Sequence, residues 1–339
     1  MTVSDIGPLI NQALTNRSEL REKLHTEETD AYRLFHGVNE GRPGLTIDRY
    51  GSQVLVQTFH QPFDPDELPL ISEHLANGLD FEPLMVFNDR SPASQKQGKP
   101  SDTNDSGEME DSKQICRELG VRYVVKGIQK GKDPLLFLDL RVARRFVLAN
   151  SSGLSVLNLF AYTCGVGICA SIGGANEVLN VDFATSSLET GKLNAELNQL
   201  SEDTIRFIQS DYFPVIRQFA GLPVSGRGRK RPYLKLEPRQ FDLVFLDPPR
   251  WAKSHFGTVD LIRDYQGVFK PALLTVHPGG RLICTNHVPK VNVSDWLEIL
   301  RRCAQKAGRP VRGIEVIEPE ADFPSPDGMH PLKIAVVEV

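Results

Sequence analysis

Two patterns of apolar and polar positions divide this sequence. Between residues 32 and 59, short apolar runs are separated by turn signals such as Gly41-Arg-Pro-Gly44, and this pattern predicts β-strands. From about Asp139 onward, strand-like apolar runs alternate with helical patterns. Such alternation is typical of an α/β fold in which helices pack on both faces of a mostly parallel sheet.

The second region contains enough strands for a large sheet. Seven strands are predicted, at residues 155–159, 177–181, 204–208, 241–246, 281–285, 312–317 and 332–337. Helices are predicted between them, near residues 167–172, 186–198, 212–220, 259–274 and 293–307. We expect the last two strands to form a hairpin-like pair.

We expect three segments along the chain. Residues 1–30 are predicted to form a weakly helical arm, residues 31–138 a small α+β domain, and residues 139–339 the α/β domain. The polar run at residues 91–113 is nearly free of large apolar side chains, and it is predicted to be a mobile insertion. The apolar runs on either side of Gly131-Lys-Asp-Pro134 are predicted to pair as a hairpin.

Composition narrows the class of protein further. The chain has 339 residues, 40% of them hydrophobic and 24% charged, which is ordinary for a globular protein and excludes a fibrous one. It contains no apolar run long enough to span a membrane and no secretory signal at its start, so we expect a cytoplasmic protein without a membrane partner. Five cysteines without a C-x-x-C pair favour reduced thiols and no structural metal site. With a net charge of −4, any nucleic-acid binding must depend on local features.

The first candidate site lies where a predicted strand runs through a glycine turn into a helix. Gly165 and Gly167 belong to a G-x-G-x-x-A pattern, which can hold a nucleotide at a helix N-terminus or be a purely structural turn. Asp182 ends the next strand, where its carboxylate either accepts ribose hydroxyl groups or caps the following helix. Asp211 ends the third strand, followed by Tyr212, and either contacts an adenine ring or caps a helix.

The fourth predicted strand carries the most specific signal. It ends in Asp247-Pro-Pro-Arg250, and two prolines cannot continue a strand ladder. The chain therefore leaves the sheet at the point where the acid appears. An acidic group is thereby predicted at the same edge as the glycine turn.

These residues together resemble a known family. The region from Leu138 onward is similar to class I S-adenosylmethionine-dependent methyltransferases, and specifically to the family that modifies bases of large-subunit ribosomal RNA. The matching residues are Phe137-Leu-Asp139-Leu-Arg141-Val-Ala-Arg144-Arg145, Asn158-Leu-Phe-Ala-Tyr-Thr163, Gly173-Gly-Ala175, Val181-Asp182, Asn194, Asn198, Asp247-Pro-Pro-Arg250 and Pro331-Leu-Lys333. Gly44-Leu-Thr-Ile-Asp48-Arg49-Tyr also resembles the small central domain of that family. The resemblance implies a Rossmann-like seven-stranded methyltransferase sheet with a smaller N-terminal α+β domain.

The resemblance also implies a cofactor and its site. S-adenosylmethionine would be the methyl donor, with no metal required. Residues implied to line it are Asn158, Phe160, Tyr162, Thr163, Gly165, Gly167, Asp182 and Phe183 toward the methionine and ribose, and Asp211, Tyr212 and Asp247 toward the adenine and the methyl group. Asp139, Arg141 and Arg144 would lie over the cofactor or the target. The protein would mainly align a nucleophile with the methyl group.

Two departures from the family pattern affect the expected target. Many relatives carry an N-terminal RNA-binding domain of which only a short arm is recognisable here. Relatives that make 5-methylcytosine need a cysteine at the end of the fifth strand, where this sequence has His287, and Cys284 is expected to be a buried inert thiol. The segment Thr285-Asn286-His287 is closer to relatives that make 7-methylguanine, so guanine N7 is favoured over cytosine C5. Asn286 is expected to bind the base edge, and His287 either does the same or is structural.

Other residues are candidates for holding an RNA substrate. In amino-group methyltransferases, the acid and a proline carbonyl of Asp-Pro-Pro accept amine protons, so Asp247 and Pro248 are assigned to catalysis with Asn286. Trp251 is expected either to stack on a base or to pack against the sheet. The predicted RNA contacts are Arg141, Arg144, Arg227, Arg229, Lys230, Arg231, Arg250, Trp251 and His287. The segment 224–240 that supplies four of them could also be a solvated loop.

Three alternatives to an RNA methyltransferase remain open at this level. They are a methyltransferase of a non-RNA acceptor, a nicotinamide-dependent oxidoreductase that uses the glycine pattern, and a noncatalytic RNA-binding module. The Asp-Pro-Pro-Arg strand end has no role in the second, and the intact cofactor residues weigh against the third. The oligomeric state is not predicted.

Overall fold

The computed structural model describes residues 6–96, 114–127, 133–224 and 231–339. The chain divides into two compact units. The first comprises Met1–Arg141 with Glu320–Gly328, and the second Val142–Pro319 with Met329–Val339. The boundary lies close to the one predicted at residue 138, but the return of Glu320–Gly328 to the first unit was not predicted.

The first unit is an α+β unit. Its elements are α1 (Ile6–Asn16), α2 (Ser18–Thr26), β1 (Ala31–His36), β2 (Leu45–Tyr50), β3 (Gln53–Thr58), α3 (Glu67–Gly78), β4 (Leu84–Asp89), α4 (Pro92–Lys96), β5 (Gln114–Glu118), β6 (Val121–Val125) and a 3-10 turn (Leu138–Leu140). Strands β1, β2, β3 and β4 form a sheet in that order, with β3 and β4 parallel and the other pairs antiparallel. The predicted β-rich character of residues 32–59 is confirmed.

The predicted N-terminal arm is part of this unit. Helices α1 and α2 bury Ile10, Leu14 and Leu24 in the same core as Ile47 and Leu75 of the sheet and α3. Apolar residues at positions 6, 10, 13 and 14 line one face of α1, as in an amphipathic helix that packs on a sheet. The segment is therefore a packed element rather than a separate arm.

The predicted hairpin around Gly131-Lys-Asp-Pro134 is wrong. Strand β6 pairs with β5, and Gln114 lies opposite Val125 in an antiparallel register. A turn at Leu119-Gly120, where both residues have positive φ angles, joins these strands. Of the predicted insertion at 91–113, residues 97–113 lie outside the described residues, and Pro92–Lys96 forms α4.

The second unit has the predicted α/β architecture. Its elements are α5 (Arg141–Asn150), β7 (Ser155–Leu159), α6 (Gly165–Ile172), β8 (Glu177–Asp182), α7 (Thr185–Leu197), β9 (Ile205–Gln209), α8 (Tyr212–Phe219), β10 (Phe241–Leu246), β11 (Trp251–Lys253), β12 (Thr258–Asp260), α9 (Gln266–Leu274), β13 (Val276–Asn286), α10 (Val293–Lys306), β14 (Gly313–Ile317) and β15 (Lys333–Glu338). In the described chain, seven strands form one sheet in the order β14-β15-β13-β10-β7-β8-β9. Strand β15 is antiparallel to β13 and β14, which confirms the late hairpin-like pair.

The central strands are buried on both faces. Strand β10 reads Phe-Asp-Leu-Val-Phe-Leu, and only Asp242 in it is not buried, as expected where helices cover both sides of a parallel sheet. One core joins β7, β8, β10 and β13 to α8, α9 and α10. The helix predicted at 259–274 begins only at Gln266, because residues 258–260 form β12 of the β11–β12 hairpin and residues 261–263 form a turn. No helix among the described residues is long and apolar enough to cross a membrane.

Candidate active site

The strand ends that carry the predicted site residues meet at one edge of the second sheet. Strands β8, β7, β10 and β13 are neighbours and run parallel, so their carboxyl ends share that edge. The residues that follow these strands directly are Phe183, Phe160, Asp247 and His287. In parallel α/β sheets, ligands bind at this edge.

The loop after β7 has an unusual backbone. Phe160, Tyr162 and Cys164 have φ angles of 56°, 48° and 64°, in a left-handed region that side chains disfavour. Each such residue costs about 1–3 kcal/mol unless the surroundings hold it. Here the N–H of Ala161 donates to the carbonyl of Val181 at 3.0 Å, and α6 begins directly afterwards at Gly165. A strained loop at a ligand-binding edge is a candidate binding loop.

Asp182 fixes this loop and has capacity left for a ligand. Its carboxylate accepts the N–H of Tyr162 and the N–H of Ala184, each at 2.8 Å. Burial raises the pKa of Asp182, and these backbone hydrogen bonds oppose the shift. A carboxylate has about four lone-pair sites, so further hydroxyl donors can bind. Next to it, the Phe183 ring is 71% exposed.

Asn158 and Gly167 are part of the packed interior rather than of the open sheet edge. Asn158 is buried, and its Nδ2 donates to Oδ1 of Asn180 at 2.9 Å. A Cβ on Gly167 would lie only 2.0 Å from that Oδ1 atom. The missing side chain at Gly167 thus makes room for Asn180. Direct contact of Asn158 or Gly167 with a cofactor stays a prediction.

Asp211 and Tyr212 have structural partners. The Asp211 carboxylate accepts the N–H of Phe213 at 2.9 Å, so it caps α8, which was one of the two predicted roles. The Tyr212 ring stacks on Phe160 with ring centres 4.6 Å apart. Its hydroxyl donates to the carbonyl of Val268 at 2.5 Å, and burial raises its pKa well above the ordinary value. By stacking on Phe160, Tyr212 stabilises the loop after β7.

Asp247 lies in a cluster of ionisable groups. The Thr285 hydroxyl donates to its Oδ1 atom. Burial raises the pKa of Asp247, while this hydrogen bond and the charges of His287 and Arg144 lower it. Burial likewise lowers the pKa of His287, against the opposing effect of Asp247, so the imidazole is mostly neutral at pH 7. Arg144 is buried, which suits a role beside Asp247 better than one on the surface.

Asn286 and Cys284, the other predicted residues near the end of β13, are buried. Asn286 is fully buried; its Nδ2 donates to the carbonyl of Leu261 at 3.4 Å, and its Oδ1 accepts the N–H of Val288 at 3.0 Å. The predicted contact of Asn286 with a base would require these bonds to break, and it stays a prediction. Cys284 is also fully buried, and burial raises its pKa to about 12.

The structure corrects the prediction for Arg141. Arg141 is the first residue of α5 but belongs to the first unit, while the rest of that helix belongs to the second. Its guanidinium is fully buried and donates to Glu320 at 2.7 Å, Asp322 at 2.5 Å and the carbonyl of Ala31 at 3.0 Å. With these acceptors in place, Arg141 stabilises the first unit and is closed to a cofactor or an RNA. Asp139, predicted beside it, lies in the 3-10 turn of the same unit.

The arginine- and lysine-rich segment at residues 224–240 is described by the structure only in part. Arg227, Arg229 and Lys230 lie outside the described residues, and their predicted RNA contacts stay predictions. Arg231 is exposed. Arg239, in contrast, forms an ion pair with Glu177, which commits it to the fold.

Two residues of the site were missed from the sequence. Thr285 lies next to Asp247 because the register pairs Leu246 of β10 with Cys284 of β13, and register cannot be read from local pattern. Lys333 donates from Nζ to the carbonyls of Val288 at 3.0 Å and Pro331 at 2.8 Å, and its charge lowers the pKa of His287. The segment Pro331-Leu-Lys333 was part of the family resemblance and was the available signal.

The fold and the site define a class of enzyme. A seven-stranded α/β sheet with one antiparallel strand near its edge, an acid at the end of β8 and Asp-Pro-Pro at the end of β10 are those of a Rossmann-like methyltransferase. The family model of S-adenosylmethionine-dependent methyltransferases matches residues 32–337. The chain therefore belongs to that family and is a methyltransferase with S-adenosylmethionine as its cofactor. The nicotinamide-dependent alternative is set aside.

Individual relatives agree with this membership. Ribosomal RNA large subunit methyltransferase I of Aeromonas salmonicida is 31% identical over 296 residues, covering 86% of this chain and 70% of the relative. The protein of the same name from Aliivibrio fischeri is 30% identical over 318 residues, covering 93% and 74%. The crystal structure of SMU.776 complexed with SAH has a TM-score of 0.77 at 20% identity and covers 100% of this chain and 82% of that one, which shows a common fold.

The residues at the sheet edge fit this cofactor. The Asp182 carboxylate has hydrogen-bond capacity for ribose hydroxyl groups, and Phe183 beside it exposes an aromatic ring that an adenine could contact. The left-handed loop from Phe160 to Cys164 is already held in place by the protein. Within the described residues, no group of three His, Cys, Asp or Glu side chains is arranged to hold a metal ion.

Proposed function

We propose that this methyltransferase modifies a base of large-subunit ribosomal RNA, and that the acceptor atom is a ring nitrogen, with guanine N7 favoured over cytosine C5. The substrate class is supported by the relatives, which are named ribosomal RNA large subunit methyltransferase I. The choice of a nitrogen rests on one observation: all five cysteines of the chain are buried.

A carbon target needs an accessible thiolate, and the burial of the five cysteines argues against one. Carbon 5 of cytosine becomes nucleophilic only after a thiolate adds to carbon 6. The thiolate is the reactive form, and burial raises the pKa of Cys284 to about 12 and that of Cys164 well above its ordinary value. At neutral pH these thiols are protonated and enclosed. Guanine N7, in contrast, has an exposed lone pair and no proton to remove.

The chain's own residues then have positioning roles. S-adenosylmethionine supplies an electrophilic methyl group when bound. In this proposal, Asp182 and the loop after β7 hold the donor. Asp247, whose carboxylate accepts the Thr285 hydroxyl, would contact the acceptor base together with the carbonyl of the buried Pro248. His287, neutral at pH 7, can donate or accept a hydrogen bond at the base edge. In favourable cases, such alignment can lower the activation barrier by about 7–11 kcal/mol.

The decisive experiment identifies the modified nucleoside. The purified protein is incubated with methyl-labelled S-adenosylmethionine and unmodified large-subunit ribosomal RNA, and the RNA is digested and analysed by mass spectrometry. We expect labelled 7-methylguanosine. Labelled 5-methylcytidine would contradict the nitrogen target, and no transfer to RNA would contradict the substrate class.

Cysteine variants provide the matched control. Cys284→Ser preserves size and removes the thiol nearest to the end of β13. If the acceptor is a nitrogen, the folded variant should transfer methyl groups at close to the wild-type rate. Loss of transfer with intact cofactor binding would instead indicate that the thiol takes part in the reaction.

A further inference from the structure

The β11–β12 hairpin presents one face to the protein and the other to solvent. The strands are antiparallel, with Trp251 opposite Asp260 and Ala252 opposite Val259. Ala252 and Val259 pack against the core of the second unit. Because side chains alternate across a strand, Trp251 and Lys253 both point outward. The hairpin thus has a fixed inner face and a free outer face.

The outer face exposes apolar surface that the fold does not use. The Trp251 side chain is 61% exposed and Ile262 is 49% exposed. The chain has only two tryptophans, and the other one, Trp296, is fully buried. Tryptophan is highly buried on average, so an outward indole on a short hairpin indicates a binding surface.

The same face carries positive charge. Arg250, Trp251, Asp260, Ile262 and Arg263 line an open cavity of about 400 Å³. Both arginines are exposed, and neither has an ion-pair partner among the described residues. The Asp260 carboxylate accepts the N–H groups of Ile262 and Arg263, each at 3.1 Å, so it holds the turn that presents Arg263.

The hairpin is close to the active site in sequence, and one of its arginines interacts electrostatically with a site residue. Trp251 follows Asp247 by four residues, and the N–H of Leu261 donates to the carbonyl of Arg250 at 3.1 Å, which closes the base of the hairpin. The charge of Arg250 also lowers the pKa of His287, so Arg250 lies within electrostatic range of the Asp247 cluster. A polymer bound at the active site would continue over this face.

We propose that the outer face of the β11–β12 hairpin binds single-stranded RNA beside the target nucleotide, with a neighbouring base stacked on Trp251 and phosphates held by Arg250 and Arg263. This proposal rests on the proposed RNA substrate and specifies which surface of the protein binds the RNA strand. An exposed indole and two exposed guanidinium groups around one cavity match the alternating bases and phosphates of a single strand. Two exposed apolar side chains are too few for the roughly 800 Å² per partner of a stable protein interface.

The two tryptophans allow a direct test with the full-length protein. Single-stranded RNA from the large subunit is titrated while intrinsic fluorescence is recorded. Trp296 is buried and serves as the internal reference. Stacking on Trp251 should quench its emission, and Trp251→Phe should abolish the quenching while keeping most of the affinity.

Variants then separate stacking from phosphate contacts. By anisotropy of labelled RNA, Trp251→Ala should weaken binding about 5- to 150-fold. Arg250→Ala and Arg263→Ala should each lower the slope of log Kd against log salt concentration by about 0.7. Arg301→Ala, at an exposed position of α10, is the matched control and should change neither quantity. Cofactor affinity should be unchanged in every variant.

The outcomes distinguish this proposal from the proposed function. If the wild type methylates RNA but Trp251→Ala and Arg263→Ala bind RNA as the wild type does, the hairpin proposal is wrong and the function stands. If the wild type neither binds nor methylates RNA, both are wrong. Protection of Trp251 by a ribosomal protein in the absence of RNA would also overturn the RNA assignment.

Discussion

Replacing Gly167 with alanine tests whether this glycine serves packing or the approach of a cofactor. A Cβ at this position would lie 2.0 Å from Oδ1 and 2.7 Å from Cγ of Asn180. Asn180 is fully buried. Its Oδ1 accepts a hydrogen bond from Nδ2 of Asn158 at 2.9 Å, and its Nδ2 donates to the carbonyl of Arg206 at 3.3 Å. The new methyl group therefore cannot be accommodated without displacing a buried hydrogen-bonded amide.

The magnitude follows from three contributions. Overpacking of a core costs about 1–3 kcal/mol. Leaving a buried amide of Asn158 or Asn180 unpaired costs about 1–3 kcal/mol more. Alanine is a better helix former than glycine and offsets about 1 kcal/mol, because Gly167 lies inside α6. The free energy of unfolding should therefore fall by about 1–5 kcal/mol.

The assay is urea unfolding followed by tryptophan fluorescence. Both tryptophans, Trp251 and Trp296, lie in the second unit, so the signal reports on the unit that contains Gly167. The decisive comparison is Gly167→Ala in an Asn180→Ala background, where the clash partner is gone. The alanine should then cost less than about 1 kcal/mol, since coupling between contacting residues is not additive.

Either of two results would refute this reasoning. The first is an equal cost of Gly167→Ala in the wild-type and Asn180→Ala backgrounds. The second is a variant of unchanged stability that no longer binds S-adenosylmethionine, which would mean that the glycine makes room for the cofactor after all.

Three further predictions concern ionisable side chains. Burial raises the pKa of Asp182, so cofactor affinity measured by calorimetry should weaken on acidification at a higher pH than it would for an ordinary aspartate. Asp182→Asn should bind weakly at every pH, and a pH-independent wild type would contradict the assigned role. Arg141→Ala removes the ion-pair partner of the buried Asp322, which then keeps the N–H of Arg33 as a donor. The change should cost about 3–5 kcal/mol in urea unfolding followed by circular dichroism, while the folded variant keeps its RNA affinity. A loss of RNA affinity without a loss of stability would restore the substrate-binding role. The pKa of His287 in the folded state lies below the unfolded value of 6.5, so the unfolded state takes up the proton first as the pH falls. The free energy of unfolding should therefore decrease as the pH drops below 6.5. His287→Gln should remove that part of the pH dependence, and an identical stability profile would contradict this assignment.

Some features of this protein could be read from local sequence. Apolar runs predicted the strands of the second sheet, and the reason is clearest for the central ones, since strands buried on both faces must be apolar along their length. Two prolines after Asp247 indicated where β10 leaves the sheet, because proline cannot donate to the ladder. Asp182 and Asp247 were consequently assigned to the correct edge.

Other features depended on residues far apart in the chain. Arg141 was predicted at the site but pairs with Asp322, which is 181 residues later. The pairing partner of β6 is β5, which begins directly after the run expected to be an insertion. The space left by Gly167 is taken by Asn180 of the next strand. Periodicity and turn residues determine where strands begin and end, since those properties are local. Which side chain fills a space or neutralises a buried charge is decided only when distant segments pack, because register and burial arise from the whole fold.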